Sequence, residues 1–593
     1  MAGVWKKLLL LTVLLMGVFH LTIFASASDY PEHPYGSFDN FSWVFNMTDR
    51  AISLNSSLPM EETKRCFVSF YSQDNKFICC SYADFLQGTT DFSVPVSMED
   101  IPDNFSMKIF FTDINFCPIS AAAEWEIAIT QPTCTGKGYT MVCSDDTSYI
   151  CAVVPALGHS WGEWSTLKDA GTIEPGTCQH TCSVCQVLEY KPVYPDAEIP
   201  ILRMYGDISN IEKRSEVAIQ TEFSGAGIEF SNWAALKYQG HSSIVYDKKN
   251  FTIKFYQDET HSQADKYTFY DWNKESKYIL KANYVDPSKC RNLVCADLWS
   301  EICMCRDGTK HIKKLFNYGA IDGMPVAVYL NDSYIGLYDM VLHKDDDLYD
   351  LDKDQLDALM IINQCTMDEA LFKAPAVFSD ESNWELEFCG TEDQTWAKEQ
   401  LNNTIDFICT ASDEDFSNNK VLKEYFNIDS AVDYMLTMYA FGLTNSYAKN
   451  LVLLSYGGDP WIFSMFDMED AFGLYQNGTG VYDASYMLPS CTDGVWDSGT
   501  GSILWDRLLA NYQSRITARY TQLRQSIFTV DYILGKVQAQ LDKIPVEFFE
   551  ADLSLYPDMP RLENTTQQIS HYLIQRFALL DQLFLSETEE QGE

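Results

Sequence analysis

Residues 461–470 read WIFSMFDMED, an apolar run that leads directly into an acidic cluster, Asp467, Glu469 and Asp470. The apolar part is expected to be buried, and a glycine at position 473 permits a sharp change of direction after it. An earlier apolar run, residues 451–455, is separated from this one by Gly-Gly-Asp-Pro at 457–460. Two such runs around a turn sequence predict a β-hairpin.

The acidic cluster has the composition of a divalent-cation site. Carboxylates two residues apart on an extended chain point the same way, so Asp467 and Glu469 are predicted to share one cation. Asn450 opens the first strand of the hairpin and is expected across from the cluster. An amide oxygen and a carboxylate at the ends of adjacent strands are the ligands that a magnesium nucleotide needs. An acidic turn that caps a hairpin is the alternative.

A second candidate is the turn at residues 239–243, Gln-Gly-His-Ser-Ser, between two predicted strands. A glycine with hydroxyl neighbours, here Gly240, Ser242 and Ser243, lets backbone N–H groups approach an anion. Lys249 on the next strand is placed to neutralise phosphate oxygens. An ordinary hairpin turn explains the same residues.

The elements around these motifs predict one large α+β domain over residues 197–588, with a β-rich front and a helical rear. The predicted strands are 234–238, 251–256, 278–283, 326–330 and 335–342, and the predicted helices are 290–304, 428–443, 503–525, 530–541 and 565–584. With the hairpin between the two halves, this order predicts two lobes around a cleft.

Composition and charge exclude several classes of protein. The chain of 593 residues carries 84 Asp and Glu against 42 Lys and Arg, a formal charge of −42. Binding of nucleic acid needs a basic surface, so we predict no nucleic-acid partner. With 46% hydrophobic and 21% charged residues, the chain is neither a disordered tail nor a multi-span membrane protein.

The N-terminus predicts export. Lys6 and Lys7 precede an apolar run over 8–24, and Ala-Ser-Ala at 25–27 has the small-x-small pattern of a cleavage site. Residues 1–27 are therefore predicted to be a signal peptide of a secreted or cell-surface protein. An uncleaved membrane anchor is the alternative for this run, and no membrane span is predicted beyond it.

Two smaller regions are predicted before the large domain. Residues 28–130 alternate short apolar runs with turns and predict a β-rich module of unknown role. Residues 131–196 carry Gly-His-Ser-Trp at 158–161 and a later cysteine group, and end in a Pro-containing linker. This pattern resembles a short repeat of surface proteins of Gram-positive gut bacteria.

The cysteines concentrate in this front part of the chain. Of the 18 cysteines, ten lie between positions 66 and 185, as in small modules with weak cores. Cys178, Cys182 and Cys185, with His159 and His180 nearby, have the spacing of a tetrahedral zinc site. A disulfide-bonded turn explains the same cysteines equally well.

Taken in order, the motifs of the large domain resemble the spore-coat-protein-H-like (CotH) kinase family, especially its exported forms in Gram-positive gut bacteria. The resemblance covers residues 197–588. The matching segments are 239–243 with 249–251, 280–286, 329–331 with 336–338, 449–450, and 466–469 with Gly473.

The resemblance implies an atypical protein-kinase-like fold that binds ATP with Mg²⁺ and phosphorylates Ser or Thr of proteins, here proteins at or outside the cell surface. It implies catalytic roles for Asp467, Asn450 and Lys249, nucleotide contacts from Gly240, Ser242, Ser243, Lys249 and Arg291, and metal binding by Asp467, Asn450 and Glu469.

Three positions depart from the family pattern. Asn445 stands where an Asp is usual, and an amide cannot accept a proton from a substrate hydroxyl as a carboxylate does. Glu469 replaces a common Asp, and Asp470 beside it faces the other way on a strand. Gln239 replaces a common Arg. The alternative function is thus a catalytically impaired kinase-fold module that acts in adhesion or envelope structure.

Overall fold

The computed structural model describes most of the chain. The described residues are 36–38, 41–46, 51–96, 101–102, 104–120, 122–144, 147–240, 243–306, 309–352, 354–364, 372–373, 384–391, 394–562 and 564–585. They fall into two compact units, unit 1 within 1–165 and 179–191, and unit 2 within 166–178 and 192–593. The predicted signal peptide at 1–27 and the predicted loop residue Ser242 lie outside the described residues.

The front of the chain is built from strands. They are β1 (Gly36–Phe38), β2 (Phe41–Asn46), β3 (Ala51–Ser56), β4 (Lys64–Ser72), β5 (Phe77–Phe85), β6 (Asp91–Pro95), β7 (Asn104–Thr112), β8 (Ala123–Thr130), β9 (Gly138–Ser144), β10 (Thr147–Val154), β11 (Ser165–Lys168), β12 (Gly176–Thr181) and β13 (Leu188–Val193). Their sheets have the orders β1-β2-β3-β6, β10-β9-β8-β7-β4-β5 and β11-β12-β13.

The core of unit 1 follows from alternation along these strands. In β7, buried and half-exposed side chains alternate, which places Met107 and Ile109 on one face. They share a core with Trp43 from β2 and Val68 from β4. Strands of the four-stranded and the six-stranded sheets therefore contribute to one apolar core.

Unit 2 begins with a closed β-barrel. Its strands are β14 (Ile201–Tyr205), β15 (Val217–Gly225), β16 (Ile228–Gln239), β17 (Asn250–Tyr256), β18 (Lys277–Lys281), β19 (Gly323–Leu330) and β20 (Ser333–Leu342). They follow the order β14-β15-β16-β17-β18-β20-β19, and the parallel pairing of β14 with β19 closes the barrel. Closure leaves no unpaired edge in this sheet.

A second sheet of four strands, a two-stranded sheet, ten α-helices and three short 3-10 helices complete the described part of unit 2. The strands of the four-stranded sheet are β21 (Leu359–Asn363), β22 (Trp384–Cys389), β23 (Leu451–Ser455) and β24 (Ile462–Met465), and those of the two-stranded sheet are β25 (Ser490–Thr492) and β26 (Val495–Asp497). The helices are α1 (Arg291–Met304), α2 (Thr395–Thr410), α3 (Asp413–Ser417), α4 (Asn419–Leu422), α5 (Ile428–Phe441), α6 (Ile503–Asn511), α7 (Gln513–Arg524), α8 (Val530–Leu541), α9 (Val546–Leu555) and α10 (Thr565–Phe584).

The predicted hairpin is confirmed and lies inside the second sheet. β23 pairs with β24, with Leu451 opposite Met465, and on its other side β23 pairs with β21. The sheet order is β22-β21-β23-β24, and all residues of β23 and β24 are buried. One continuous apolar core extends from Leu202 in the barrel to Phe584 in α10.

The predicted strands and helices of the large domain are confirmed with one difference. The predicted helix over 503–525 is two helices, because Tyr512 leaves the helical conformation with φ −124°. Its buried hydroxyl donates to the Phe416 carbonyl at 2.8 Å, which fixes the break. Mixed helices and strands give the predicted α+β class, while the two-lobed arrangement and the domain boundaries stay predictions.

No helix among the described residues has both the length and the apolar character needed to cross a membrane.

Candidate nucleotide and metal site

Lys281 and the acidic cluster form the centre of the site in unit 2. Lys281 ends β18, and its buried ammonium donates to Asp467 and lies 3.4 Å from Glu469 Oε2. The two carboxylates therefore meet at one ammonium, and their predicted sharing of a metal cation stays a prediction. The extended chain predicted for them is absent, because β24 ends at Met465 and Asp467 adopts a left-handed conformation with φ 56°. The turn, and not an extended strand, brings them together.

Asn450 holds the backbone of this turn. Its Nδ2 donates to the Asp467 carbonyl at 3.2 Å, and its own φ of 65° is also left-handed. Its backbone N–H donates to the Asn363 carbonyl at 2.9 Å, which anchors it to β21. The amide nitrogen is used in this way, and no hydrogen bond from the described residues reaches the amide oxygen Oδ1, which is an acceptor.

Asp470 belongs to the cluster but faces a different set of partners. Its Oδ2 accepts from Thr444 Oγ1 at 2.9 Å and from the backbone N–H of Asn445 at 3.2 Å. Its Oδ1 is buried and has no hydrogen-bond partner among the described residues. Asn445 is thus held against the acidic cluster by its backbone.

Burial and charge shift the pKa values of the cluster in opposite directions. Burial opposes ionisation of Asp467, but the charge of Lys281 outweighs it and lowers the pKa of this carboxyl. Burial and the neighbouring carboxylates raise the pKa of Glu469 to about 7, against the effect of Lys281. Burial also raises the pKa of Asp470 to about 6. The charges of Lys449 and Lys344 also favour the ionised form of Asp467.

The glycine turn is joined to Lys281 through Asn250. Asn250 Oδ1 accepts the N–H of Ala282 at 2.7 Å, and its Nδ2 donates to Ser243 Oγ at 3.2 Å. Gly240 has φ 104°, and a Cβ there would lie 2.0 Å from Ser243 Oγ. The described part of the turn is therefore tight, requires glycine, and is fixed to the strand that carries Lys281.

Lys249 and Arg291 lie elsewhere than the family resemblance implies. The Lys249 ammonium donates to the carbonyls of Ile244 and Tyr246, within its own turn. Arg291 is fully buried, and its guanidinium binds Asp286, Gln568 and the Ala471 carbonyl. The lysine that meets the acidic cluster is Lys281.

Helix α1 supports the cluster from beneath. Asn292 in its first turn accepts the Met468 N–H at 2.9 Å, and Arg291 Nε donates to the Ala471 carbonyl at 3.1 Å. Arg291 is held by Asp286, whose carboxylate accepts the backbone N–H groups of Cys290 and Arg291 at 3.0 and 2.9 Å. This buried cap fixes the start of the helix and thereby the chain around the acidic cluster.

The sequence interpretation gave Lys281, Asn250 and Asn292 no function. Lys281 lies 186 residues before Asp467, on a barrel strand, whereas Asp467 follows a strand of the second sheet, so no local pattern joins them. One signal was present in the sequence, because Lys281 is a charged residue at the end of an otherwise buried strand. Such a residue needs an ionic partner.

The cysteine cluster in the structure has different members from the group predicted from the sequence. Cys182 and Cys185 lie in a cluster with Cys134 and His159, whose candidate ligand atoms are all within 4.8 Å of one another. Cys178 is outside this cluster, with its sulfur 3.9 Å from Thr166 Oγ1. His180 is also outside it. Its Nε2 pairs with Glu189 at 2.7 Å, and its ring stacks on Trp161 and Trp164.

Comparison with models of protein families identifies a match in unit 2. A family model described as CotH kinase protein matches residues 236–580, which is more than half of the chain and includes Lys281, Asn450 and the acidic cluster. No curated protein matches the sequence.

Proposed function

Since this chain belongs to the CotH kinase protein family, we propose that it is a secreted or cell-surface protein kinase that uses ATP and Mg²⁺. The family itself points to an atypical protein kinase. The nucleotide, the metal, the location and the acceptor are our proposal. The acceptors are Ser or Thr hydroxyls of proteins at the cell surface or outside the cell.

One observation carries the proposal, the meeting of Lys281, Asp467 and Asn450. Protein kinases use a strand lysine for the phosphates, and an Asp and an Asn for the metal ions. In unit 2 a lysine at the end of β18 binds an Asp just after β24, and an Asn just before β23 binds the carbonyl of that Asp. Three separate elements therefore supply the three residue types that the reaction needs.

The donor set fits a magnesium ion. Mg²⁺ prefers oxygen ligands, usually one or two carboxylates completed by phosphates and water. Asp467 and Glu469 are partly exposed, with 34% and 28% of their side chains accessible, and no hydrogen bond from the described residues reaches Asn450 Oδ1. The buried Oδ1 of Asp470 also lacks a partner among the described residues. A divalent cation would favour the ionised forms of these carboxyl groups.

The residues have separable tasks in phosphoryl transfer. Bound Mg-ATP supplies the phosphoryl group and the positive charge that its oxygens require. Lys281 would bind phosphate oxygens, since its ammonium offers three donors. Asp467 and Asn450 would hold the metal, with Glu469 as a further ligand. Gly240 and Ser243 would contribute to phosphate binding, as residues of other glycine-rich anion sites do.

The amide side chain of Asn445 predicts that phosphoryl transfer is slow. An amide does not take the proton of a substrate hydroxyl, and Asp470 Oδ2 already accepts from Thr444 and from the Asn445 backbone. Because phosphoryl transfer depends mainly on positioning and charge, the loss of a base slows the reaction without removing it. The same observation supports the second candidate, an impaired kinase fold that acts in adhesion or envelope structure.

Transfer of labelled phosphate from ATP by the full chain tests the proposal. With Mg²⁺ and a Ser/Thr-rich acceptor protein, we expect slow labelling that Asn445→Asp accelerates by about 10²-fold, the usual contribution of general-base catalysis. Asp493→Asn, on an exposed turn, is the matched control and should leave the rate unchanged. Labelling by neither the wild type nor Asn445→Asp would support the adhesion module instead.

A further inference from the structure

The cluster of Cys134, His159, Cys182 and Cys185 in unit 1 is independent of the kinase-type site. Cys134 and Cys182 are buried, His159 is half-buried and Cys185 is exposed. None of the three cysteines is in a disulfide bond. From this geometry we propose that the four side chains bind a structural zinc ion.

Two distances within the cluster match those of a tetrahedral site, and all four ligand atoms lie within 4.8 Å of one another. Zinc binds thiolate sulfur at about 2.3 Å and histidine nitrogen at about 2.0 Å, so tetrahedral ligands lie about 3.8 Å apart for two sulfurs and about 3.5 Å for sulfur and nitrogen. The sulfurs of Cys134 and Cys182 are 3.7 Å apart, and Cys185 Sγ is 3.3 Å from His159 Nδ1. The ligand atoms need little movement to enclose one ion.

The chemistry of the four ligands selects zinc. Three sulfurs and one imidazole nitrogen form a Cys₃His set, a common structural zinc site in which all four positions come from protein. A disulfide between Cys134 and Cys182 would bring their sulfurs to about 2.05 Å and leave Cys185 and His159 unused. A zinc ion uses all four side chains.

Backbone hydrogen bonds hold the three contributing segments in place. The N–H of Gly158 donates to the Cys134 carbonyl at 3.0 Å, which fixes the His159 segment to the Cys134 segment. The N–H of Ser183 donates to the Ser160 carbonyl at 2.8 Å, which fixes the same segment to the Cys182 turn. Because these bonds do not involve the ligand atoms, the site is organised by the chain itself.

The zinc ion would stabilise a part of unit 1 that has a small hydrophobic core. Around the cluster, large side chains such as Leu157, Val184 and Val187 are exposed. In regions with so small a core, metal binding contributes directly to folding. Cys134 is 48 residues before Cys182, so the ion would close a long loop of the chain.

The test measures metal in the full chain, purified under reducing conditions without chelator and loaded with zinc. We expect about one zinc ion per chain, and on replacement by Co²⁺ the absorption of tetrahedral cobalt thiolate. Cys182→Ser should lower the zinc content at least about tenfold. Cys178→Ser is the matched control, because Cys178 lies outside the cluster, and it should retain the ion.

A second pair of variants keeps the test decisive if Cys182→Ser does not fold. His159→Cys retains a zinc ligand and should keep the ion, whereas His159→Ala should lose it. The proposal is overturned if zinc-loaded wild type holds no metal, or if Cys178→Ser loses as much zinc as Cys182→Ser. A Cys134–Cys182 disulfide found by peptide mapping of the native protein would also overturn it.

Discussion

Lys281 is the residue on which the site depends, because it brings a positive charge into a group of three carboxylates. Its ammonium binds Asp467 and Glu469, whereas the ammonium of Lys249 binds two carbonyl oxygens of its own turn. The two lysines are therefore expected to differ in their effect on nucleotide binding.

We predict that Lys281→Met weakens Mg-ATP binding by about 10- to 100-fold, which corresponds to the loss of one or two charged hydrogen bonds. Lys249→Met should have a smaller effect, and Lys254→Met, on the neighbouring strand β17, should have none. Titration of each full-length variant with Mg-ATP measures its affinity and so ranks the three substitutions by their effect. A larger effect at Lys249 than at Lys281 would assign the phosphate contact to Lys249.

The buried carboxyl of Asp339 makes the stability of the protein depend on pH. It is buried on β20, where its Oδ2 accepts from Asn283 at 2.6 Å, and burial raises its pKa to about 7. The folded protein thus holds a proton that the unfolded chain, with a carboxyl pKa near 4, releases. The stability contributed by this proton is present at low pH and is lost as the pH rises through 7.

Asp339→Asn cannot lose a proton at this position. Relative to the wild type, we expect its free energy of unfolding to rise by about 1.4 kcal/mol between pH 6 and pH 8. Urea unfolding of both proteins at the two pH values measures this difference. A difference that stays constant or falls across the interval would show that Asp339 is already ionised in the folded protein at pH 6.

At the scale of elements, the turn between β16 and β17 depends on Gly240. Its φ of 104° and the 2.0 Å approach of Ser243 Oγ leave no room for a side chain. We predict that Gly240→Ala displaces the turn and weakens Mg-ATP binding at least about fivefold while the protein stays folded.

Gly227→Ala is the control for backbone strain. Gly227 has φ 78° but no atom near the position of a Cβ. The substitution Gly227→Ala should therefore lower the free energy of unfolding without affecting nucleotide binding. Equal losses of binding in the two variants would mean that strain, and not the shape of the Gly240 turn, causes the effect.

The start of α1 is the second element that fixes the site. Asp286 is 1% exposed, pairs with Arg291 and accepts backbone N–H groups. Asp286→Ala leaves Arg291 as a buried unpaired charge, and we expect it to cost about 3–5 kcal/mol in urea unfolding. Asp297→Ala on the same helix breaks a surface pair with Lys536 and should cost at most about 1 kcal/mol. Similar losses of free energy of unfolding in Asp286→Ala and Asp297→Ala would contradict a supporting role for Asp286.

These elements show how much the sequence predicts. Helices 530–541 and 565–584 have their predicted bounds, because a regular apolar period decides where an amphipathic helix packs. The hairpin of β23 and β24 was predicted from its turn residues. The pairing of Lys281 with Asp467 is not predictable from the sequence, because the two residues lie 186 positions apart, one on the barrel and one after a strand of the second sheet. Cys134 was missed for the same reason, since no local spacing joins it to Cys182.

At the scale of the whole molecule, two basic residues of a strongly acidic chain are buried at the acidic cluster. The formal charge is −42, yet Lys281 is buried beside Asp467 and Glu469, and Arg291 is buried beneath the same turn. One apolar core extends from the barrel to α10, so the strands and helices that carry the site residues are parts of one packed body. This arrangement is suited to hold Lys281, Asn450 and Asp467 at fixed distances.

Calorimetric titration of the full chain with ATP, with and without Mg²⁺, tests the central claim most directly. We predict saturable binding to the wild type that requires Mg²⁺ and is weakened at least about tenfold by Asp467→Asn, which keeps the size of the side chain and removes its charge. Asp493→Asn should bind as the wild type does. Binding that is absent from the folded wild type, or unchanged in Asp467→Asn, would contradict the assignment of Lys281, Asn450 and Asp467 as a nucleotide site.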